Sequence, residues 1–556
     1  MLQTQFLVIG VITATALGVL VPRLLTRFRL ARAVQRGLGQ GPPVPLVDLS
    51  RVAAYHEGLG GRASADTVDD ATWNDLNLDA VFLAVDRTAS QIGRQCLYHV
   101  LRQPRFTVEP LERLEAATQR FSTAPTDAAH IRRILRALAD PRAGYLSDLL
   151  YGELPARPVL WWIFPLLTAT ACLCLALLAI WPKALVVWLV VCMTNIAIQL
   201  VYRPRVRRLI VAFQSMPAFV RAAEQLSRLS PTGIEWEIAT LRHDAPQLAS
   251  LRRATTWLLF EPGAANELAS TIYEYVNLLF LLDINAFVFS IQRATDARAL
   301  LRRVFEAIGQ IDTAQSLAHW RQSLSHWSAP EYSTPGKVLQ TTDVFHPLLA
   351  QPIANTLRVR DASILITGSN MAGKTTFMRT LGVNAILAQT LHTVCAHTWH
   401  APFLRVRSSI GRTDSLLDGR SHYLAEVESV HSLIRAKRLD RQHLFLLDEM
   451  FRGTNTAERV AAAYAVLAYL TQGIDVVVVA THDLELVALL GDSYQTYHFR
   501  ERIADATLSF DYRLREGPSS TRNAIALLQL QQYPDEIIGN AMAVLNRAQA
   551  LEAPRT

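Results

Sequence analysis

Apolar residues are spaced in three different ways along this 556-residue chain, and each spacing predicts a different kind of element. Over 72–150 and 205–330 they recur every three or four positions, as at Trp73, Leu76 and Ala80, the period of helices that bury one face. At 6–21, 158–181 and 184–202 they form runs without a single acidic residue. From 359 onward short apolar runs at 364–367, 444–448 and 476–480 alternate with helical stretches. That alternation predicts a parallel sheet with helices on its faces.

The unbroken runs predict membrane elements. Residues 158–181 and 184–202 each approach or exceed the ~20 residues that cross a bilayer. Trp161, Trp162, Trp181 and Tyr202 stand at their ends, and Arg203, Arg205, Arg207 and Arg208 follow. Aromatic ends and a basic flank predict a hairpin with its turn outside and both ends in the cytoplasm. The alternative is a helical hairpin buried in a large core. Residues 6–21 precede Arg23, Arg27, Arg29, Arg32 and Arg36, which predicts an anchor with the arginines inside; an amphipathic lead segment is the alternative. Residues 275–291 are apolar except for Asn277, Asp283, Asn285 and Ser290. One further crossing there would put the downstream domain outside, so a buried core helix is expected, with a partner for Asp283.

Composition sharpens this picture only a little. Hydrophobic residues make up 50% of the chain, which directs attention to membrane spans. A formal net charge of +7 suits a phosphate-bearing partner or an anionic membrane surface, and the arginines flanking the apolar runs account for much of it. The five cysteines, Cys96, Cys172, Cys174, Cys192 and Cys395, are scattered. An odd number without metal-ligand spacing predicts no disulfide framework and no metal cluster.

The chemistry lies in the last third. The run 364–367 ends in Gly368-Ser369-Asn370-Met371-Ala372-Gly373-Lys374-Thr375-Thr376, which has the spacing of a phosphate-binding loop. Glycines let backbone N–H groups wrap phosphate oxygens, and the next helix turns its positive end on them. Lys374 is expected on the β- and γ-phosphates of ATP, and the Thr375 hydroxyl on Mg²⁺. The run 444–448 ends in Asp448-Glu449, which predicts a metal-holding carboxylate followed by one that directs water. The run 476–480 leads to Thr481-His482, a histidine at a strand tip placed to sense the γ-phosphate.

These motifs, taken with their neighbours, resemble the ATPase of the MutS mismatch-repair family. The resemblance is carried by Thr367 through Arg379 with Ala388-Gln389, by Arg412-Thr413-Asp414-Ser415-Leu416, and by Gly419-Arg420-Ser421-His422-Tyr423 with Glu426 and Glu428. It continues through Asp448-Glu449-Met450-Phe451-Arg452-Gly453-Thr454-Asn455-Thr456, where Phe451 replaces the family's first glycine, and through Pro534-Asp535-Glu536-Ile537-Ile538 near the end. Upstream, Asp86-Arg87-Thr88 with Gly93-Arg94, Ile311-Asp312, and Phe345-His346-Pro347-Leu348 resemble the entry to the family's helical core and the run into its ATPase. The resemblance implies a homodimer with composite sites, in which Ser421 contacts nucleotide on the opposite subunit and Gln389 belongs to the nucleotide-binding set. It also implies clamping of double-stranded DNA. No Phe-x-Glu wedge occurs near the N-terminus, so mismatch specificity is not expected, and no Leu-Ser-Gly-Gly-Gln marks an ordinary transporter ATPase.

The fold class expected is an α/β P-loop NTPase domain, ABC-like and of MutS type, preceded by an all-α core of MutS kind with transmembrane helices. The divisions expected are an anchor with basic flank at 1–36, a linker at 37–71, helical core at 72–157, transmembrane hairpin at 158–202, helical core again at 203–335, and the ATPase with its dimerisation helices at 336–556. The function expected is ATP hydrolysis coupled to DNA, by a multi-pass protein of the inner (cytoplasmic) membrane whose ATPase domain is cytoplasmic. The alternative is a membrane ATPase that couples nucleotide state to a protein or transport partner, without nucleic acid.

Overall fold

A computed structural model describes residues 48–61, 66–230, 233–248, 267–368, 372–411, 422–437, 441–451, 453–504, 507–519, 528–529 and 531–552. The expected anchor at 1–36 lies outside the described residues, as do Ser369, Asn370, Met371 and Ser421. By its contacts the chain divides after Leu49, leaving one large unit, Ser50–Thr556.

Helices fill the first part of that unit. The expected linker at 37–71 already contains one, Leu49–Gly58, which buries Val52, Ala53, Tyr55 and His56. Its short apolar face is hidden in the sequence by the glycine- and proline-rich stretches on either side. Helix α1 (Gln91–Arg102) is capped by Ser90, whose hydroxyl accepts from Gly93 N, and α2 (Glu109–Thr123) starts with a proline in its first turn. Both pack on a later helix across one apolar core. That core takes Phe121, Ile131, Leu135 and Leu149 from before the hairpin, and Phe213, Phe219, Phe287 and Phe305 from after it. Each such side chain contributes roughly 1.5–3 kcal/mol on burial. The two expected helical segments are therefore one core with the hairpin inserted.

The hairpin differs from its expected outline. Helix α3 (Ile163–Leu177) is 15 residues long, shorter than the run that suggested it. Helix α4 (Ala184–Ser227) does not stop at Tyr202 but continues for 44 residues through Pro204 and Pro217, each of which lacks the N–H for an i→i−4 bond. Its second half lies in the helical core. Its first half buries a narrow stripe (Val191, Cys192, Asn195, Gln199), while Val186, Val190, Met193, Leu200 and Val201 are 60–70% exposed. Among the described residues α4 is the one unbroken helix long and apolar enough to cross a membrane.

The single core helix expected at 275–291 is two. Helices α5 (Glu267–Phe280) and α6 (Leu282–Asp296) meet at Leu281, whose φ of 52° breaks the helical path. The pair is bent by 69°. A break frees backbone carbonyls, which need new donors. Thr168 Oγ1 donates to Phe280 O (2.7 Å) and Asn195 Nδ2 to Leu279 O (2.6 Å), while Gln199 Nε2 (3.2 Å) adds a second donor to Asn277 O, which keeps its bond from Leu281 N (2.9 Å). Asp283 finds its partners in Asn277 Nδ2 (2.7 Å), Tyr273 OH (3.0 Å) and Arg203 (3.2 Å). Beyond them α7 (Arg298–Arg321) packs along α1 and α2.

The α/β part has two sheets. Strands β1 (Glu331–Tyr332), β2 (Val338–Val344), β3 (Asn355–Arg360) and β5 (Thr398–Ala401) form a small sheet in the order β1-β5-β2-β3, so this part begins before the expected residue 336. The larger sheet contains β4 (Ser363–Thr367), β6 (Arg405–Ser409), β7 (His443–Asp448), β8 (Val476–Ala480), β9 (Tyr494–Ala504) and β10 (Thr507–Glu516). Its order is β10-β9-β4-β8-β7-β6, parallel except for the β10 edge. Every residue of β4 and β8 is buried, as expected of central parallel strands. Around it lie α8 (Lys374–Leu391), α9 (His422–Ala436) and α10 (Thr456–Leu470).

Polar contacts join the two parts. Arg379 Nε donates to Asp75 O (2.7 Å), and Asp75 Oδ2 accepts from Ser408 Oγ (2.7 Å) and Ile410 N (2.9 Å). At the far end of α8, Arg321 grips Glu115 through two nitrogens (3.0 and 2.6 Å) and donates to His392 O (3.1 Å). Burial pushes the Glu115 carboxyl up, but hydrogen bonds from His392 and Arg321 and the Arg321 charge outweigh it and hold it down at about 2.

Candidate nucleotide-binding site

Three parallel strands end at one level. Asp448 on β7 and Ile366 on β4 are both in register with Ala480 on β8. Glu449 N donates to Ala480 O (2.9 Å) and Thr481 N to Ile366 O (3.0 Å), which carries the alignment one residue past the strand ends. Gly368, Asp448-Glu449 and Thr481-His482 therefore meet at the carboxyl edge of the sheet, the edge at which open α/β sheets hold ligands.

Backbone geometry explains the glycines of the loop. Gly368 has φ 129°, and a Cβ there would lie 2.7 Å from Phe499 O. Gly373, at φ 107°, is the residue from which α8 starts. Ala372 is buried, and Thr376 lies exposed in the first turn of the helix. The first N–H groups of α8 thus open towards the strand ends, a ready anion site.

Charged groups converge on that spot. Lys374 is 1% exposed, with Nζ donating to Gly368 O and lying 3.6 Å from Glu449 Oε1. A buried ammonium needs such partners. Thr375 Oγ1 donates to Asp448 Oδ2 at 2.6 Å. The two residues expected to hold Mg²⁺ thus already touch, and a hydroxyl beside a carboxylate is an all-oxygen pair of the kind that hard cation takes. His482, with its side chain half exposed, places Nδ1 3.5 Å from Glu449 Oε2.

The structure brings Gly368, Gly373, Lys374, Thr375, Asp448, Glu449 and His482 together, and it sets Gln389 apart. Gln389 lies 15 residues along α8 from Lys374, about 22 Å by helical rise. Its side chain is 2% exposed and bonds both to Leu404 O (2.8 Å) and to Leu404 N (2.5 Å), so it fastens α8 to the approach of β6. The resemblance that placed it in the nucleotide set tracks a packing role here.

Other residues of the site escaped the sequence reading. Asp483 takes a fork from Arg459 of α10 (3.0 and 2.6 Å) and lies 3.7 Å from His482 Nε2, which puts a second carboxylate beside the histidine. Nothing in the spacing of 459 and 483 announces that pair. Asn455 caps α10 by accepting from Glu458 N (2.9 Å), and an asparagine three residues before a glutamate is a legible capping signal. Glu449 and Phe451 have φ of 44° and 62°, left-handed conformations that cost about 1–2 kcal/mol for residues with a side chain. Next to α8, burial and then the Arg379 charge hold His346 down at about 4, so it stays neutral at ordinary pH and accepts from Leu348 N (3.3 Å).

Comparison with known proteins agrees with this geometry. Residues 364–549 match the family described as MutS domain V. The DNA mismatch repair protein MutS of Thermus aquaticus is 31% identical over 268 residues, which is 48% of this chain and 32% of that protein. The proteins of the same name from Bacillus licheniformis and Erythrobacter litoralis are 28% and 31% identical over 263 and 266 residues, each covering 45% of this chain and 30% of the relative. The chain spans about a third of the length of the curated relatives it matches.

Proposed function

We propose that this chain, which belongs to the MutS family through its domain V, is an ATPase that works as a homodimer and carries its ATP-driven motion to bound DNA. The observation that carries the reading is the convergence of Lys374, Thr375, Asp448, Glu449 and His482 at one sheet edge. The loop from Gly368 to Thr376 and the start of α8 wrap the phosphates, and Lys374 leaves Gly368 O for their oxygens. Thr375 and Asp448 would hold Mg²⁺, which would supply charge neutralisation for the β- and γ-phosphates. Glu449 orients water and takes its proton, and His482 reports the γ-phosphate by a hydrogen bond. Ser421 completes the site on the partner subunit, as it does in the family pattern.

The net positive charge favours contacts to the DNA backbone, which position a protein on the duplex without reading its sequence. The exposed apolar half of α4 favours a membrane position, and it supports a second reading in which the load is a membrane protein or transport partner and not DNA. In either case we propose a position in the inner membrane, with the α/β domain in the cytoplasm.

Turnover by the purified full chain, with and without duplex DNA, tests both readings. Glu449→Gln should keep ATP binding and lower kcat by at least about 100-fold; unchanged turnover would remove Glu449 from its role. Duplex binding that falls steeply with salt supports the DNA reading, and no binding at low salt supports the other.

A further inference from the structure

The turn after β7 is built against its own backbone preference. Glu449 and Phe451 are both left-handed, and position 451 is where the family pattern has glycine, the residue that accepts such a φ freely. Phenylalanine is held there by burial in an apolar cluster that α9 shares and by a hydrogen bond to α9. Its side chain is 6% exposed, in the apolar cluster that includes Val430 and Leu433 of that helix. Its N–H donates to Oε1 of Glu426, also on α9. The other oxygen of Glu426 is buried without a partner among the described residues, so this carboxylate serves the backbone amide and no ion pair there. Two residues on, Gly453 lies against the start of α9: a Cβ at 453 would sit 3.0 Å from Tyr423 Cβ. The ring, the amide and the glycine are separate points of attachment, and together they fix the turn to the helix.

We propose that Glu426 and Phe451 are positioning residues for Glu449. They clamp the turn to α9, so Glu449 stays over Lys374 and any shift of α9 moves the carboxylate with it. The chemical output rests on the ATPase reading above. Helix α9 starts one residue after Ser421, the residue which that reading assigns to the partner subunit's nucleotide. Phenylalanine at 451 makes the link stiffer than glycine would, because it adds an apolar anchor and removes backbone freedom.

The test uses the full chain carrying Glu426→Ala, Glu426→Gln or Phe451→Gly. Glu426→Ala and Phe451→Gly should lower kcat about tenfold or more and leave the KM for ATP within about twofold. Glu426→Gln keeps an acceptor for the Phe451 amide and should retain at least about half of kcat. Hydrogen exchange across 449–453 reads the clamp directly: about tenfold faster in Glu426→Ala, unchanged in Glu426→Gln. Equal losses in the two Glu426 variants, or a fall in kcat matched by a rise in KM, overturn the proposal. So does unchanged exchange in Glu426→Ala, whatever the turnover. Exchange that responds as expected in a chain whose wild type hydrolyses no ATP leaves the clamp standing and sinks the ATPase reading instead.

Discussion

Strand β8 is four valines and an alanine and the first half of α4 is rich in the same aliphatic residues, yet one is sealed and the other open. Val476, Val477 and Val478 are 0% exposed, whereas Val186 and Val190 are 66% and 61% exposed. The strand has a sheet neighbour on each edge and packing on both faces. The helix has polar anchors along one stripe, and its other side is exposed among the described residues. Hydropathy measures only the wish to leave water, and geometry decides whether protein or something else grants it. Leu166, Leu173, Trp181, Met193, Leu200 and Val201 are also at least half exposed on α3, α4 and the turn between them, and exposed apolar side chains of this kind suit the membrane reading proposed above.

Charge substitution should separate the two regions most. Val478→Asp buries an unpaired carboxylate and should cost more than about 4 kcal/mol, enough to prevent soluble folding of the α/β part. Val190→Asp should leave that part folded and weaken membrane insertion by about 3 kcal/mol, read as a shift from the membrane fraction. Equal loss of folding in both would mean that α4 is a buried core helix after all. Truncation gives a milder contrast. Leu446→Ala on β7 should lower unfolding stability in detergent by about 2–5 kcal/mol, while Leu200→Ala, 70% exposed, should change it by less than about 0.5 kcal/mol.

The smallest effect belongs to the junction between the parts, at Glu115 and Arg321. Glu115 is held down at about 2 against an ordinary value of 4.5, so its contribution is complete above pH 4.5 and is lost as pH falls from there towards 2. After solvent screening it amounts to no more than about 2 kcal/mol. Glu115→Gln should flatten that part of the stability profile, as read by urea midpoints at pH 6, 4 and 3. A profile unchanged by the substitution would remove Glu115 from acid sensitivity.

The α/β part was the more legible in sequence because its signals are local. The runs at 364–367, 444–448 and 476–480 end in the residues that the sheet places side by side, and parallel strands of matched length leave few other arrangements. The helical part was legible as a class and less so in outline. The 37–71 stretch hid a helix, α4 ran on past the arginines, and Leu281 divides what reads as one helix. Each of those outcomes is set by contacts far away in the chain. Thr168, Asn195 and Gln199 read as tolerable polar residues in apolar runs, and their purpose appears only once α5 ends against them. Gln389 erred the other way, since a family position kept its residue for packing and not for nucleotide. Asp483, Arg459 and Glu426 carried no pattern because their partners are a histidine, a carboxylate and a single backbone amide brought close by the fold.

The break at Leu281 also bears on the order in which the chain is made. Asn195 precedes the Leu279 carbonyl it serves by 84 residues, so the hairpin leaves the ribosome well before its polar stripe has anything to bond. An amide side chain facing hydrocarbon without a partner is costly, and so is a helix end with bare carbonyls. Neither element is at ease in a bilayer alone, and each removes the other's penalty on meeting. On the membrane reading proposed above, biogenesis of this region is a joint act of residues 163–202 and 267–296, completed only when the second pair of helices has been synthesised and docked.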